Sequence, residues 1–171
     1  MKNLASIIIL LLLSLQAQAF TILIDPGHGG DDLGATSIGR LKTTEVKVLE
    51  KDLSLQIATR LYEILSKKYN VFLTRSVDRT VTLPERAAIA EKVKADLFIS
   101  VHINSSPASN AVGFETYYLD NNKDVAVKKV ERTENIQSKD EEGIQQILVD
   151  LVIDQTVNIS KPLAMAIHSE V

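Results

Sequence analysis

Short apolar runs alternating with helical stretches constrain this chain more than any other feature. Residues 20–24 (Phe-Thr-Ile-Leu-Ile) stop at Asp25-Pro26-Gly27, which predicts a buried strand ending in a turn. Over about 48–68 the residues Leu49, Leu53, Ile57, Leu61, Ile64 and Leu65 recur at three- and four-residue spacing, as an amphipathic helix requires. Val71-Phe72-Leu73-Thr74 reads as a second strand after the Tyr69-Asn70 turn. Thr82-Leu83-Pro84-Glu85 has the spacing of a capping box with proline in the first turn, and it opens a helix through about Lys94. Residues 96–102 form a third strand, apolar almost throughout and therefore expected at the centre of a sheet. Residues 113–119 (Gly-Phe-Glu-Thr-Tyr-Tyr-Leu) read as a fourth strand. The fold class is α/β, a single domain with a mostly parallel mixed sheet flanked by helices.

The two ends read differently. Met1-Lys2 gives a positive start, 5–15 is an apolar run interrupted only by Ser6 and Ser14, and Ala17-Gln18-Ala19 is a small-x-small site. That layout predicts a signal peptide over 1–19, cut between Ala19 and Phe20. The run is too short to span a bilayer of roughly 30 Å. No cysteine follows it, which excludes a lipoprotein anchor. The domain 20–171 is then expected to be exported, periplasmic or secreted, with no membrane span after cleavage. Residues 123–142 are dense in mixed charge and read as a solvated face. Ile144, Ile147, Leu148, Leu151 and Val152 resume helical spacing, and 160–171 reads as a further helix capped by Ser160.

Composition closes off several functions. The 171 residues contain no cysteine, so disulfide frameworks, thiolate metal sites and cysteine nucleophiles are excluded. With 19 basic against 22 acidic residues the formal charge is −3, which gives no electrostatic case for nucleic-acid binding. A monomer is expected.

Of three histidines, His28 follows the first strand and His102 closes the third. In an open α/β sheet, ligands gather at the carboxyl ends of strands, so both side chains are expected at one crevice. A catalytic zinc site needs three protein ligands and an open position, and without thiols the third ligand is a carboxylate. Glu50, at the start of the 48–68 helix, is the first candidate and Glu45 the second; spacing alone does not decide between them. His168 reads as a surface residue. Arg75, Arg79 and Arg86 read as helix–strand ion pairs rather than substrate ligands.

The motifs, taken in order, carry a resemblance. Asp25-Pro26-Gly27-His28-Gly29-Gly30-Asp31-Asp32-Leu33-Gly34-Ala35, Glu50-Lys51-Asp52-Leu53, Thr74-Arg75, Ser100-Val101-His102-Ile103-Asn104 and Gly113-Phe114-Glu115-Thr116-Tyr117 together resemble the zinc-dependent N-acetylmuramoyl-L-alanine amidases of the amidase 3 type. The resemblance implies one zinc ion held by His28, Glu50 and His102, and it favours Glu50 over Glu45 through the Glu-Lys-Asp context. It implies peptidoglycan as substrate, hydrolysed at the amide between N-acetylmuramic acid and L-alanine of the stem peptide, in wall turnover or daughter-cell separation. Asn104 is the candidate substrate-binding residue. Residues 131–135 and 147–151 resemble the helical insertion of the periplasmic division amidases, here about 124–157, on which an activator protein acts. The family pattern carries a further strand with a proton-transferring glutamate, expected beyond Val171. The chain is therefore expected to be C-terminally incomplete, with Glu170 not taking that role and Glu115 structural. A second reading follows from that expectation, a zinc-containing peptidoglycan-binding or regulatory module without hydrolysis. A third is an exported α/β binding protein without metal.

Overall fold

A computed structural model describes residues 19–41, 44–105, 112–118 and 154–170. In chain order the elements are β1 (Thr21–Pro26), β2 (Thr36–Leu41), β3 (Thr44–Leu49), α1 (Glu50–Leu65), β4 (Asn70–Leu73), α2 (Leu83–Val93), β5 (Leu97–Val101) and α3 (Asp154–Glu170). The main sheet is parallel, ordered β4-β1-β5, with Ile22 opposite both Val71 and Leu97. β2 and β3 pair with each other, antiparallel, as a separate two-stranded sheet.

All six residues of β1 are buried, which is why Ile22-Leu23-Ile24 runs apolar without alternation. Ile22, Ile24, Ala58 and Val71 form the core, with Leu61, Leu65, Tyr69, Leu73, Leu97, Ile99 and Val101 packed against it. The face that α1 buries is not the one its large apolar residues suggest. Lys51, Ser54 and Ala58 are buried and Leu61 and Leu65 continue that row into the core, whereas Ile57 and Ile64 are 42% and 62% exposed. Small side chains at 54 and 58 let the helix axis approach the sheet closely, which periodicity counted on large residues does not register. The capping box forms as expected: Thr82 Oγ1 accepts from the Glu85 N–H, and Glu85 Oε2 accepts from the Thr82 N–H.

Five sequence expectations change. β5 is not central; among the described residues it pairs only with β1, and β1 takes the middle. An apolar run reports that both faces are covered, not that both edges are paired. The loop foreseen over 28–40 gives way at Thr36 to β2, and Val48 and Leu49 complete β3 rather than open the helix. Residues 112–118 form no strand, and Gly113 takes a φ of 122°. Ser160 lies inside α3, which begins at Asp154 and runs through Pro162, so it is no cap. Arg75 and Arg79 bond backbone carbonyls instead of forming ion pairs; only Arg86 pairs with a carboxylate, Asp25, as foreseen. Residues 1–18 of the signal peptide expected over 1–19, and residues 124–153 of the insertion expected over about 124–157, lie outside the described residues.

Candidate metal centre

Pro26 and Val101 stand opposite each other at the ends of β1 and β5, and His28 and His102 leave the sheet just beyond them. Parallel pairing thus delivers both imidazoles to one end of the sheet, where open α/β folds place their sites. The turn after β1 is closed by the Gly27 N–H bonding the Val101 carbonyl at 2.9 Å. Glu50 reaches the same place as the first residue of α1.

One ligand atom from each of His28, Glu50 and His102 lies within 4.8 Å of the others. The imidazole rings stand edge to face with centroids 4.9 Å apart. The His28 side chain is fully buried, and those of Glu50 and His102 are 5% and 11% exposed. Glu45 sits exposed on β3, outside this group.

Hydrogen bonds fix each group. Nδ1 of His28 lies 2.8 Å from Asp32 Oδ2, and the other Asp32 oxygen accepts the Gly34 N–H at 3.1 Å. Glu50 Oε1 accepts the Ile103 N–H at 2.8 Å and faces His102 Nδ1 at 3.1 Å. Its Oε2 accepts the Ala35 N–H at 2.7 Å. Burial alone would raise the Glu50 carboxyl, but the facing imidazoles of His102 and His28 and the N–H groups of Ala35 and Ile103 outweigh it and hold Glu50 ionised well below the usual carboxylate range. Burial also works against a charged His28, yet the facing carboxylates of Glu50 and Asp32 prevail and raise its pKa.

The donor set suits a metal. His28 Nε2 is buried and makes no hydrogen bond, an arrangement rarely left unexplained in a folded protein. Two imidazoles and a carboxylate converge on one point without thiols, the chemistry favoured by zinc and similar divalent ions.

A ring of polar groups surrounds the three. Ser54 Oγ donates to the Gly27 carbonyl at 2.9 Å. Lys51 Nζ bonds the Gly30 carbonyl at 2.8 Å and Asp78 at 2.7 Å. Asn104 is exposed two residues beyond His102. His168 is exposed on α3 with its ring 4.7 Å from that of Phe114. Sequence reasoning missed Asp32 as the orienting partner of His28; its place four residues along the same glycine-rich turn is the signal for it. Nothing in the sequence marks Lys51 or Arg75 as buried.

Residues 22–171 match the family model described as N-acetylmuramoyl-L-alanine amidase. The chain is 38% identical over 118 residues to the N-acetylmuramoyl-L-alanine amidase AmiC of Escherichia coli O6:H1, covering 67% of this chain and 27% of that one. It is 42% identical over 99 residues to the sporulation-specific N-acetylmuramoyl-L-alanine amidase of Bacillus subtilis, covering 56% of this chain and 34% of that one. The chain therefore spans about a quarter to a third of these relatives' length. Among solved structures, an N-acetylmuramoyl-L-alanine amidase from Clostridium difficile 630 matches with a TM-score of 0.54 at 38% identity, over 66% of this chain and 59% of that one. The catalytic domain of CwlV from Bacillus (Paenibacillus) polymyxa matches with a TM-score of 0.52 at 40% identity, over 59% and 54%.

Proposed function

The chain belongs to the N-acetylmuramoyl-L-alanine amidase family, and from that premise we propose that it is a zinc-dependent peptidoglycan amidase. The bond cleaved is the amide between N-acetylmuramic acid and the L-alanine of the stem peptide. The observation that carries this reading is the convergence of His28, Glu50 and His102, with His28 Nε2 buried and unbonded.

His28, Glu50 and His102 would hold the ion. When bound, zinc supplies Lewis acidity toward water and the scissile carbonyl. The chain's own part is preorganisation. Asp32 engages Nδ1 of His28 and leaves Nε2 facing Glu50, 3.2 Å from Oε1. Two backbone N–H groups, one on each oxygen, fix the Glu50 carboxylate in place. Asn104, exposed two residues beyond His102, would hydrogen-bond the stem peptide in this reading. The same reading includes export, supported by the leader-like residues 1–19, and control by an activator acting on 124–157, supported by the resemblance of that segment to the division-amidase insertion.

The test uses the purified full-length protein and isolated sacculi. Metal analysis is expected to find one zinc per protein, and digestion to release stem peptides with new L-alanine amino groups. Sacculi bound but left uncut by the zinc-loaded full-length protein would overturn the hydrolase reading in favour of a binding module.

A further inference from the structure

The turn that carries His28 is held by its carbonyl groups. Arg75 donates from Nε to the Pro26 carbonyl at 3.1 Å and from Nη2 to the Gly27 carbonyl at 2.8 Å. Arg86 donates from Nη1 to the Pro26 carbonyl and from Nη2 to that of His28, both at 3.0 Å. Both guanidinium residues are buried, at 1% and 5% exposure. Of the two, Arg86 is the one that reaches the backbone of the ligand residue itself.

The turn needs holding because His28 takes a φ of 59°. That left-handed conformation is disfavoured for a residue with a side chain and persists only when its surroundings enforce it. Arg86 is in turn anchored. It forms an ion pair with the buried Asp25, whose carboxylate also accepts Thr74 Oγ1 at 2.5 Å and Ser100 Oγ at 3.0 Å. One planar fork from α2 therefore ties together the last residues of β1 and the carbonyl of His28. A buried ion pair of this kind is a poor way to gain stability compared with apolar packing. Its distinct contribution is geometric.

We propose that Arg86, anchored by Asp25, is a positioning residue for the metal. It holds His28 in the conformation that aims Nε2 at Glu50 and His102, and so sets metal affinity in addition to fold stability. This inference rests on the zinc reading above. A lysine at 86 keeps the charge beside Asp25, but its single nitrogen does not reproduce a fork reaching the Pro26 and His28 carbonyls together.

The experiment compares wild type, Arg86→Lys and Val71→Ala, a core change on β4 away from the site. Zinc affinity is read by competition with a chromophoric chelator, and ligand geometry by the visible spectrum of the cobalt(II)-loaded chain. Arg86→Lys is expected to bind zinc roughly 10–100-fold more weakly, as for other residues that support metal ligands, with displaced cobalt bands. Val71→Ala is expected to lower Tm and leave affinity and spectrum unchanged. Wild-type affinity and spectrum in Arg86→Lys would overturn the inference while leaving the zinc reading intact. Equal weakening in Val71→Ala would overturn it too, by reducing the effect to stability. A wild-type chain that binds no zinc would overturn both readings. Should Arg86→Lys fail to fold, Ser100→Ala takes its place: it is exposed and removes one donor from Asp25. It is then expected to weaken zinc about two- to five-fold, and unchanged affinity would overturn the inference.

Discussion

Asp32 and His28 are joined by a 2.8 Å hydrogen bond to Nδ1, while the other ring nitrogen faces Glu50 from inside the protein. The bond selects the imidazole tautomer with Nδ1–H and leaves the Nε2 lone pair available. Asp32→Ala is expected to weaken zinc binding roughly 10–100-fold. Asp32→Asn, whose amide oxygen still accepts from Nδ1, is expected to lose less. Chelator competition on both variants checks this; equal, wild-type affinity in the two would show that Asp32 does not orient the ring.

Glu50 meets two backbone donors, one on each oxygen. An amide accepts at one end only, so Glu50→Gln turns an NH2 group toward either Ala35 or Ile103. Leaving a buried donor unsatisfied costs about 1–3 kcal/mol. The expected result is a chain that loses stoichiometric zinc and is also less stable in chelator, as read by urea denaturation. His102→Ala is expected to lose zinc as well. Full zinc retention in both His28→Ala and His102→Ala would remove the assignment.

Much of this centre was legible because its residues sit at element ends. Asp25-Pro26-Gly27 marks the end of β1 in the sequence, whereas the start of α1 carries no side-chain cap, and only the Glu-Lys-Asp context of the resemblance favours Glu50 over Glu45. The β2–β3 pair was not legible: Thr36–Leu41 includes a glycine and an arginine and lacks a continuous apolar face, and antiparallel backbone pairing by itself leaves no pattern in the sequence. The buried role of Arg75 was hidden for a similar reason. Its partners are the carbonyls of Pro26, Gly27 and Lys51, and carbonyl groups carry no residue identity to read.

Asp78 links the far side of the turn to α1, accepting Lys51 Nζ and the Gly30 N–H. The Lys51 hydrogen bond, with that of Gly30, holds its carboxyl below the ordinary value of 3.8. A carboxyl lowered in the folded state stabilises the protein above its unfolded pKa, and the gain disappears as pH falls through the folded value. With the Asp78 side chain 46% exposed, the gain is at most about 1 kcal/mol. Asp78→Asn is expected to be less stable than wild type near neutral pH and to converge with it as pH falls through the lowered folded-state value of the carboxyl. Denaturation midpoints across that range check it; a constant difference at every pH would refute the assignment.

At Gly27 the turn after β1 packs directly against the His102 ring. A Cβ built there would lie 2.6 Å from His102 Nε2 and 2.7 Å from Nδ1, so the imidazole occupies the volume that any side chain at 27 requires. Backbone relief is limited, because the Gly27 N–H bonds Val101 and its carbonyl accepts from both Arg75 and Ser54. With the turn tied at both ends, the ring is the part that yields, and it is also a metal ligand in the proposed site. Gly27→Ala is therefore expected to cost about 1–3 kcal/mol, as overpacking does, and to weaken zinc more than a core change of equal cost. Zinc titration beside a stability-matched Ala58→Gly variant decides the point. Equal affinity in the two would show that His102 accommodates the methyl group without leaving its place.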